Sequence, residues 1–357
     1  MRPITVGRFI TVAFTLFLIA WATTALAEEK KITVAVDGSG DFKTVQEAVN
    51  AAPADKSVSF LVHIKPGVYR EKITIPNHKG PIVFLGEDAA TTVLTFDDHA
   101  GRIGADGRKI GTGRSATVTV RADDFMARNI TFENSAGPIG QAVALSVSSD
   151  RASFRKCRFL GWQDTLLVNG NRQYFEDCYI SGHEDFIFGA STAWFERCEL
   201  YCRLGGAITA ASTPQKQRFG LVFSNCKITA APMQERKAHR RLTTILGRPW
   251  RPYASVIFLN TEMSDVVAPA GWENWNNPDN EKTVRYAEYH STGPGAHPRE
   301  RVPWSRQLTQ AQANAITVDK VLDGWNPFSN SAAGSLGLSL SSNPLCHSER
   351  SRGISHY

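Results

Sequence analysis

The chain has 357 residues, enough for one large domain, with 42% hydrophobic and 21% charged residues and a formal net charge of +6. That composition excludes an intrinsically disordered protein. The mild cationic excess suits a polyanionic partner, but no nucleic-acid motif and no long Lys/Arg block accompanies it, so nucleic acid is not an expected partner.

Residues 1–27 have the form of a secretory signal. Arg2 and Arg8 supply the positive start, Phe9 to Trp21 the apolar run, and Ala25-Leu26-Ala27 the small-residue exit. No other stretch is apolar for long enough to span a bilayer. The expectation is an exported protein, periplasmic or extracellular, with no membrane contact once the signal is removed. A first strand is expected over 31–36 and a helix over 44–52, with Val45, Ala48, Val49 and Ala52 on one face and Thr44 or Asp41 as cap. This helix should close one end of the fold. Short strand-like runs follow at Phe60–Ile64, Ile73–Ile75, Ile82–Leu85, Thr117–Val120, Ile130–Phe132 and Ala142–Val147. Later runs stand at 194–195, 221–223 and 256–259. A second helix is expected over 308–318, with Leu308, Ala311 and Ala315 spaced for one face. From 329 to 357 the chain is rich in Ser, Asn and Gly, which predicts a disordered tail carrying Cys346 and His347.

The middle of the chain repeats itself. Gly161-Trp162-Gln163-Asp164 lies over Gly182-His183-Glu184-Asp185 at an offset of 21 residues. Cys157 and Cys178 keep the same offset, and Phe154, Phe175, Phe195 and Phe223 each stand three residues before a cysteine. A period of 20 to 28 residues without helical patterning predicts a solenoid of β coils, each stacked about 4.8 Å from the last. Asn129, 28 residues before Cys157, is expected on the same ladder as the cysteines. Stacking makes Asp164 and Asp185 neighbours, either as paired carboxylates of unequal pKa or as two turn-capping residues. Cys178 and Cys198 are then within bridging range, and an oxidising compartment permits a disulfide. A buried ladder of free thiols is the alternative. No Cys-x-x-Cys pair points to a metal site.

Five motifs follow in order: Gly67-Val68-Tyr69-Arg70-Glu71, Gln141-Ala142-Val143-Ala144-Leu145, Gly161-Trp162-Gln163-Asp164-Thr165-Leu166, Asp185-Phe186-Ile187-Phe188-Gly189 and Leu246-Gly247-Arg248-Pro249-Trp250. Gly271-Trp272 to Trp275, Gly293-Pro294-Gly295-Ala296 and Arg301-Val302-Pro303-Trp304 extend the pattern. On these motifs the chain resembles the pectin methylesterase (pectinesterase) family from about Lys31 to Phe328. The resemblance implies an all-β fold, a right-handed single-stranded parallel β-helix with short capping helices, as one catalytic domain over 28–328. It implies a carbohydrate esterase that cuts methyl-esterified polygalacturonan to pectate and methanol without cofactor or metal.

The resemblance also assigns roles. Asp185 matches the nucleophile, Asp164 the general acid and base, Gln141 and Gln163 the oxyanion amides, and Arg248 the arginine holding the nucleophile. Trp250 matches a substrate-facing aromatic, and Thr112 a threonine that contacts the sugar. Phe186 and Trp272 offer flat apolar faces for sugar rings. Strict alternation would put Gln163 and Asp164 on opposite faces, so a bend is expected over 162–164. Glu184 departs from the family's small or apolar residue; a third carboxylate beside Asp185 either raises its pKa or points away, and alternation favours pointing away, with His183 at the surface. A capped solenoid has no open edge, which predicts a monomer.

Overall fold

The computed structural model describes residues 30–238 and 242–327. The expected signal, the tail, Cys346 and His347 lie outside those residues. The described strands form three sheets of eleven, eight and seven strands, and all strand-to-strand pairing is parallel. Each coil feeds the sheets in the same order. Ala152–Arg155, Arg158–Leu160 and Leu166–Val168 make one coil; Arg172–Glu176, Tyr179–Gly182 and Ile187–Gly189 make the next. This is a parallel β-helix, in which each short strand buries its inward side chains against the two other sheets.

Register explains the repeat seen in the sequence. Phe154, Phe175, Phe195, Phe223 and Phe258 pair in succession across the eleven-stranded sheet. Their rings stack with centroids 4.5 to 4.9 Å apart. Each such contact adds about 0.5–1.5 kcal/mol beyond the area it buries. One residue before every ladder cysteine the chain turns through the left-handed region, at Lys156, Asp177, Arg197 and Asn225, with φ from 49° to 53°. Asn129 (φ 56°) holds this corner position and not the cysteine position, because Thr131 pairs with Arg158 and so sets Ile130 under Cys157. Asn and Asp tolerate that conformation best, which accounts for three of these five corners.

Cys157, Cys178, Cys198, Cys202 and Cys226 are free, buried thiols. The Cys178–Cys198 disulfide is therefore not formed. In-register stacking keeps the two side chains side by side, and each sulfur turns to backbone carbonyls. The Cys178 thiol donates to Phe154 O and Glu176 O, at 3.5 and 3.3 Å.

The first helix, Val45–Ala51, is fixed by a capping box between Thr44 and Glu47, and it buries Val45, Ala48 and Val49 in the core. Glu71, the last residue of the first motif, accepts from the amides of Val45 and Gln46 at 2.7 and 2.9 Å. Its role is to anchor the open first turn of that helix. The expected second helix is two short ones, Gln310–Asn314 and Val318–Val321: the first ends at the C-cap Ala315, and extended Thr317 caps the next. Ala313 faces inward there, while Ala311 and Ala315 are exposed. With Leu322 and Trp325 these helices cover the outer face of the eleven-stranded sheet at Trp194, Val222 and Ile257. The Arg301 motif is structural: its buried guanidinium pairs with buried Glu288 at 2.8 Å and donates to the carbonyls of Ala268, Pro269 and Gly295. No helix among the described residues is long and apolar enough to cross a membrane.

Candidate active site

Two glycine turns build the site. A Cβ on Gly161 would stand 2.6 Å from Thr165 Oγ1, and one on Gly182 would stand 2.2 Å from Phe186 Cβ. Only glycine lets each turn fold back over its own coil. Gln163 bridges in parallel to Gln141 below and Glu184 above, outside the named strands. The next residue then leaves the strand conformation: Asp164 has φ 65° and Asp185 φ 49°. This is the bend required at 162–164. It swings each carboxylate to the side where Gln163 lies and defeats the alternation of a regular strand.

The result is a cleft of about 450 Å³. Asp164, Asp185, Gln141, Gln163 and Arg248 all line it, together with Thr112, Trp250 and Trp275. Leu167, Phe188 and Ala210 form an apolar floor. These three pair in succession on the seven-stranded sheet, and Arg248 follows Ala210 in the same row. The small Ala210 side chain lets Arg248 reach back over it to Asp185. There the guanidinium donates to both carboxylate oxygens, Nε to Oδ1 at 2.9 Å and Nη2 to Oδ2 at 2.7 Å. Its flat face lies 4.0 Å from the centre of the Trp275 ring.

Two of the expected sugar-facing aromatics are elsewhere. Phe186 is fully buried in the core, because the residue after an outward-turned aspartate points inward. Trp272 is also core, stacked on Tyr286 at 4.4 Å. Trp275, three residues on and 36% exposed, is the tryptophan of that motif that reaches the cleft, beside Trp250. Glu184 does not point away: its Oε1 lies 2.6 Å from Arg248 Nη2. His183 is buried and meets Trp162 edge-on at 5.9 Å.

The two aspartates differ electrostatically. Burial pushes Asp164 up to about 8, reinforced by the charge of Asp185. Asp185 is also raised by burial, but the hydrogen bonds and charge of Arg248 oppose the rise. Near neutral pH, Asp164 therefore holds a proton, and the Arg248 guanidinium favours the ionised form of Asp185. A stability consequence follows from the sign of the Asp164 shift. Its folded value lies above the ordinary 3.8, so the native state holds a proton that the unfolded chain has lost across pH 4 to 8. Stability from this group is full below pH 4 and is lost as pH rises through 8. Asp164→Asn should thus melt with the parent near pH 4 and several degrees above it at pH 8, a gain on the order of a few kcal/mol. Thermal unfolding across that range checks it; a gap that does not grow with pH would contradict it.

Comparison with known proteins identifies the architecture. A family model described as Pectinesterase matches residues 31–325. The chain belongs to the pectinesterase family. It is 42% identical to Pectinesterase 31 of Arabidopsis thaliana over 84% of this chain and 94% of that one. Among solved structures, pectin methylesterase from carrot superposes with a TM-score of 0.75 at 37% identity, over 88% of this chain and 97% of that one. A pectin methylesterase in complex with hexasaccharide VII gives a TM-score of 0.72 at 34% identity, over 83% and 97%. Other relatives are longer: the chain spans about half the length of Pectinesterase/pectinesterase inhibitor U1 of Solanum lycopersicum, 53% of it. The fold is accordingly the right-handed parallel β-helix of this family, and the chain is a carbohydrate esterase.

Proposed function

We propose that this pectinesterase-family chain hydrolyses methyl esters of polygalacturonan, giving pectate and methanol, and that Asp185 and Asp164 divide the chemistry. The observation that carries the division is that Arg248 grips Asp185 and not Asp164, two carboxylates one coil apart in one cleft. The ionised Asp185 attacks the ester carbonyl, forming the new C–O bond of an acyl anhydride. The negative charge that develops on the carbonyl oxygen is taken by the side-chain amides of Gln141 and Gln163. As the tetrahedral intermediate collapses, the bond to methoxide breaks and protonated Asp164 gives its proton to the leaving oxygen, releasing methanol. Asp164, now ionised, takes a proton from water as that water attacks the anhydride. The uronic acid unit leaves as the carboxylic acid and ionises in water, Asp185 is again a carboxylate and Asp164 again an acid, so ester and water are consumed and acid and methanol formed.

The sugar chain lies against Trp250 and Trp275, with Thr112 in the same lining. The substrate is a polyanion with neutral ester units, consistent with the net positive charge. The leader 1–27 exports the chain, and the mature monomer works outside the inner membrane as one domain over 28–328. Methanol release from methylated pectin tests the reading. Unsaturated products absorbing in the ultraviolet, or new reducing ends in place of methanol, would reject it in favour of chain cleavage. Gln163→Ala and Gln141→Ala should each lower kcat about 10²-fold or more with KM little changed, the cost of one oxyanion donor. A pure KM effect would remove the amides from that role.

A further inference from the structure

Arg248 serves two carboxylates, and the catalytic cycle above uses only one of them. Its Nη2 lies 2.7 Å from Asp185 Oδ2 and 2.6 Å from Glu184 Oε1. A Cβ at Gly206, in the following coil, would strike the His183 carbonyl oxygen at 2.0 Å and stand 3.1 Å from Glu184 Oε2, so the absence of a side chain there lets the two coils close up beside the Glu184 carboxylate. Glu184, Arg248 and Glu273 also line a second hollow of about 370 Å³. The guanidinium is thus the wall between the catalytic cleft and an acidic hollow.

From this geometry we propose that Glu184 is a positioning residue that divides the Arg248 cation between itself and Asp185, so that Asp185 is left a more basic and more nucleophilic carboxylate. An arginine devoted wholly to the nucleophile would stabilise its charge and blunt its attack. A second anion on the same guanidinium offsets part of that stabilisation. The inference rests on the esterase reading above and deepens it.

The charged and titratable groups around Asp185 are Asp164 from the coil below, Glu184 beside it, Arg248 from the strand Ile245–Pro249, and Glu273 from the following turn. Buried Tyr286 feels the Asp185 charge from the core side, and His183 turns to Trp162. The Glu184 carboxylate pushes both Asp164 and Asp185 upward. Its removal should therefore move both limbs of the pH profile in the same direction.

The test is the pH dependence of kcat/KM for methanol release by the parent, Glu184→Gln and Glu184→Asp, with melting temperatures measured alongside. Glu184→Gln should shift both limbs toward acid pH by about one pH unit and lower kcat at the optimum several-fold, with KM little changed. Glu184→Asp keeps the charge and should leave both limbs closer to the parent's. Limbs that stay in place in Glu184→Gln, or that move toward alkaline pH, would overturn the proposal even if activity fell. If Glu184→Gln does not fold, Glu184→Ala replaces it, with the same two outcomes: limbs shifted toward acid pH support the proposal and unmoved limbs overturn it. A parent that releases no methanol overturns the esterase reading itself, a result distinct from an active parent with unmoved limbs.

Discussion

Asp185→Asn should reduce methanol release from methylated pectin by about 10⁴-fold or more at every pH, while the protein stays folded. The amide keeps the shape of the carboxylate and can still meet Arg248, so the loss would be chemical. It cannot form the anhydride, because a neutral amide oxygen is a poor nucleophile and no neighbouring base can ionise it. The buried Phe186 beside it anchors the turn in the core independently of the side-chain charge. Steady-state methanol release with thermal unfolding as a folding control decides the matter. Activity within tenfold of the parent would move the nucleophile elsewhere in the cleft.

Arg248→Met should cost about 10²–10³-fold in kcat at neutral pH, and the loss should shrink as pH rises. Without the guanidinium, burial and the charge of Glu184 act on Asp185 unopposed. Asp185 then holds its proton to higher pH, and the acid limb of the profile moves toward alkaline pH. The two aspartates begin to compete for one proton, so the steps of the profile belong to the pair. Asp164, which also loses a stabilising charge, holds its own proton longer. The partial recovery at high pH is the feature that a mere packing defect lacks. A loss of equal size at every pH would show that Arg248 only shapes the cleft.

Much of this was legible in the sequence, for a physical reason. A solenoid repeats its environment once per coil, so the Phe154 to Phe223 ladder and the matching cysteines reveal both the period and the register. The same repeat sets Asp164 over Asp185. What the pattern could not settle lies where the backbone leaves the strand. Alternation argued that Glu184 points away from Asp185, but the left-handed φ at Asp185 turns its carboxylate toward the side Glu184 already faces, and both meet Arg248. Trp272 and Trp275 stand in a turn without periodicity, and Trp275 itself has φ 59°, so nothing local chose which ring faces the cleft. Phe186 was readable: a residue following an outward aspartate belongs to the core, as Thr165 does after Asp164. The thiol ladder was not legible, because the spacing that permits a disulfide also permits parallel free side chains.

The central claim is an unequal pair: of two carboxyl groups one coil apart, only the one without the arginine is protonated at working pH. Carbon-13 NMR of aspartate-labelled protein, with Asp164→Asn and Asp185→Asn used to assign the two carboxyl signals, reads this directly. The account predicts one signal that titrates near pH 8 and disappears in Asp164→Asn, and an Asp185 signal already in its ionised position at pH 7. An Asp185 carboxyl still protonated at pH 7, or two carboxyls both ionised there, would contradict it.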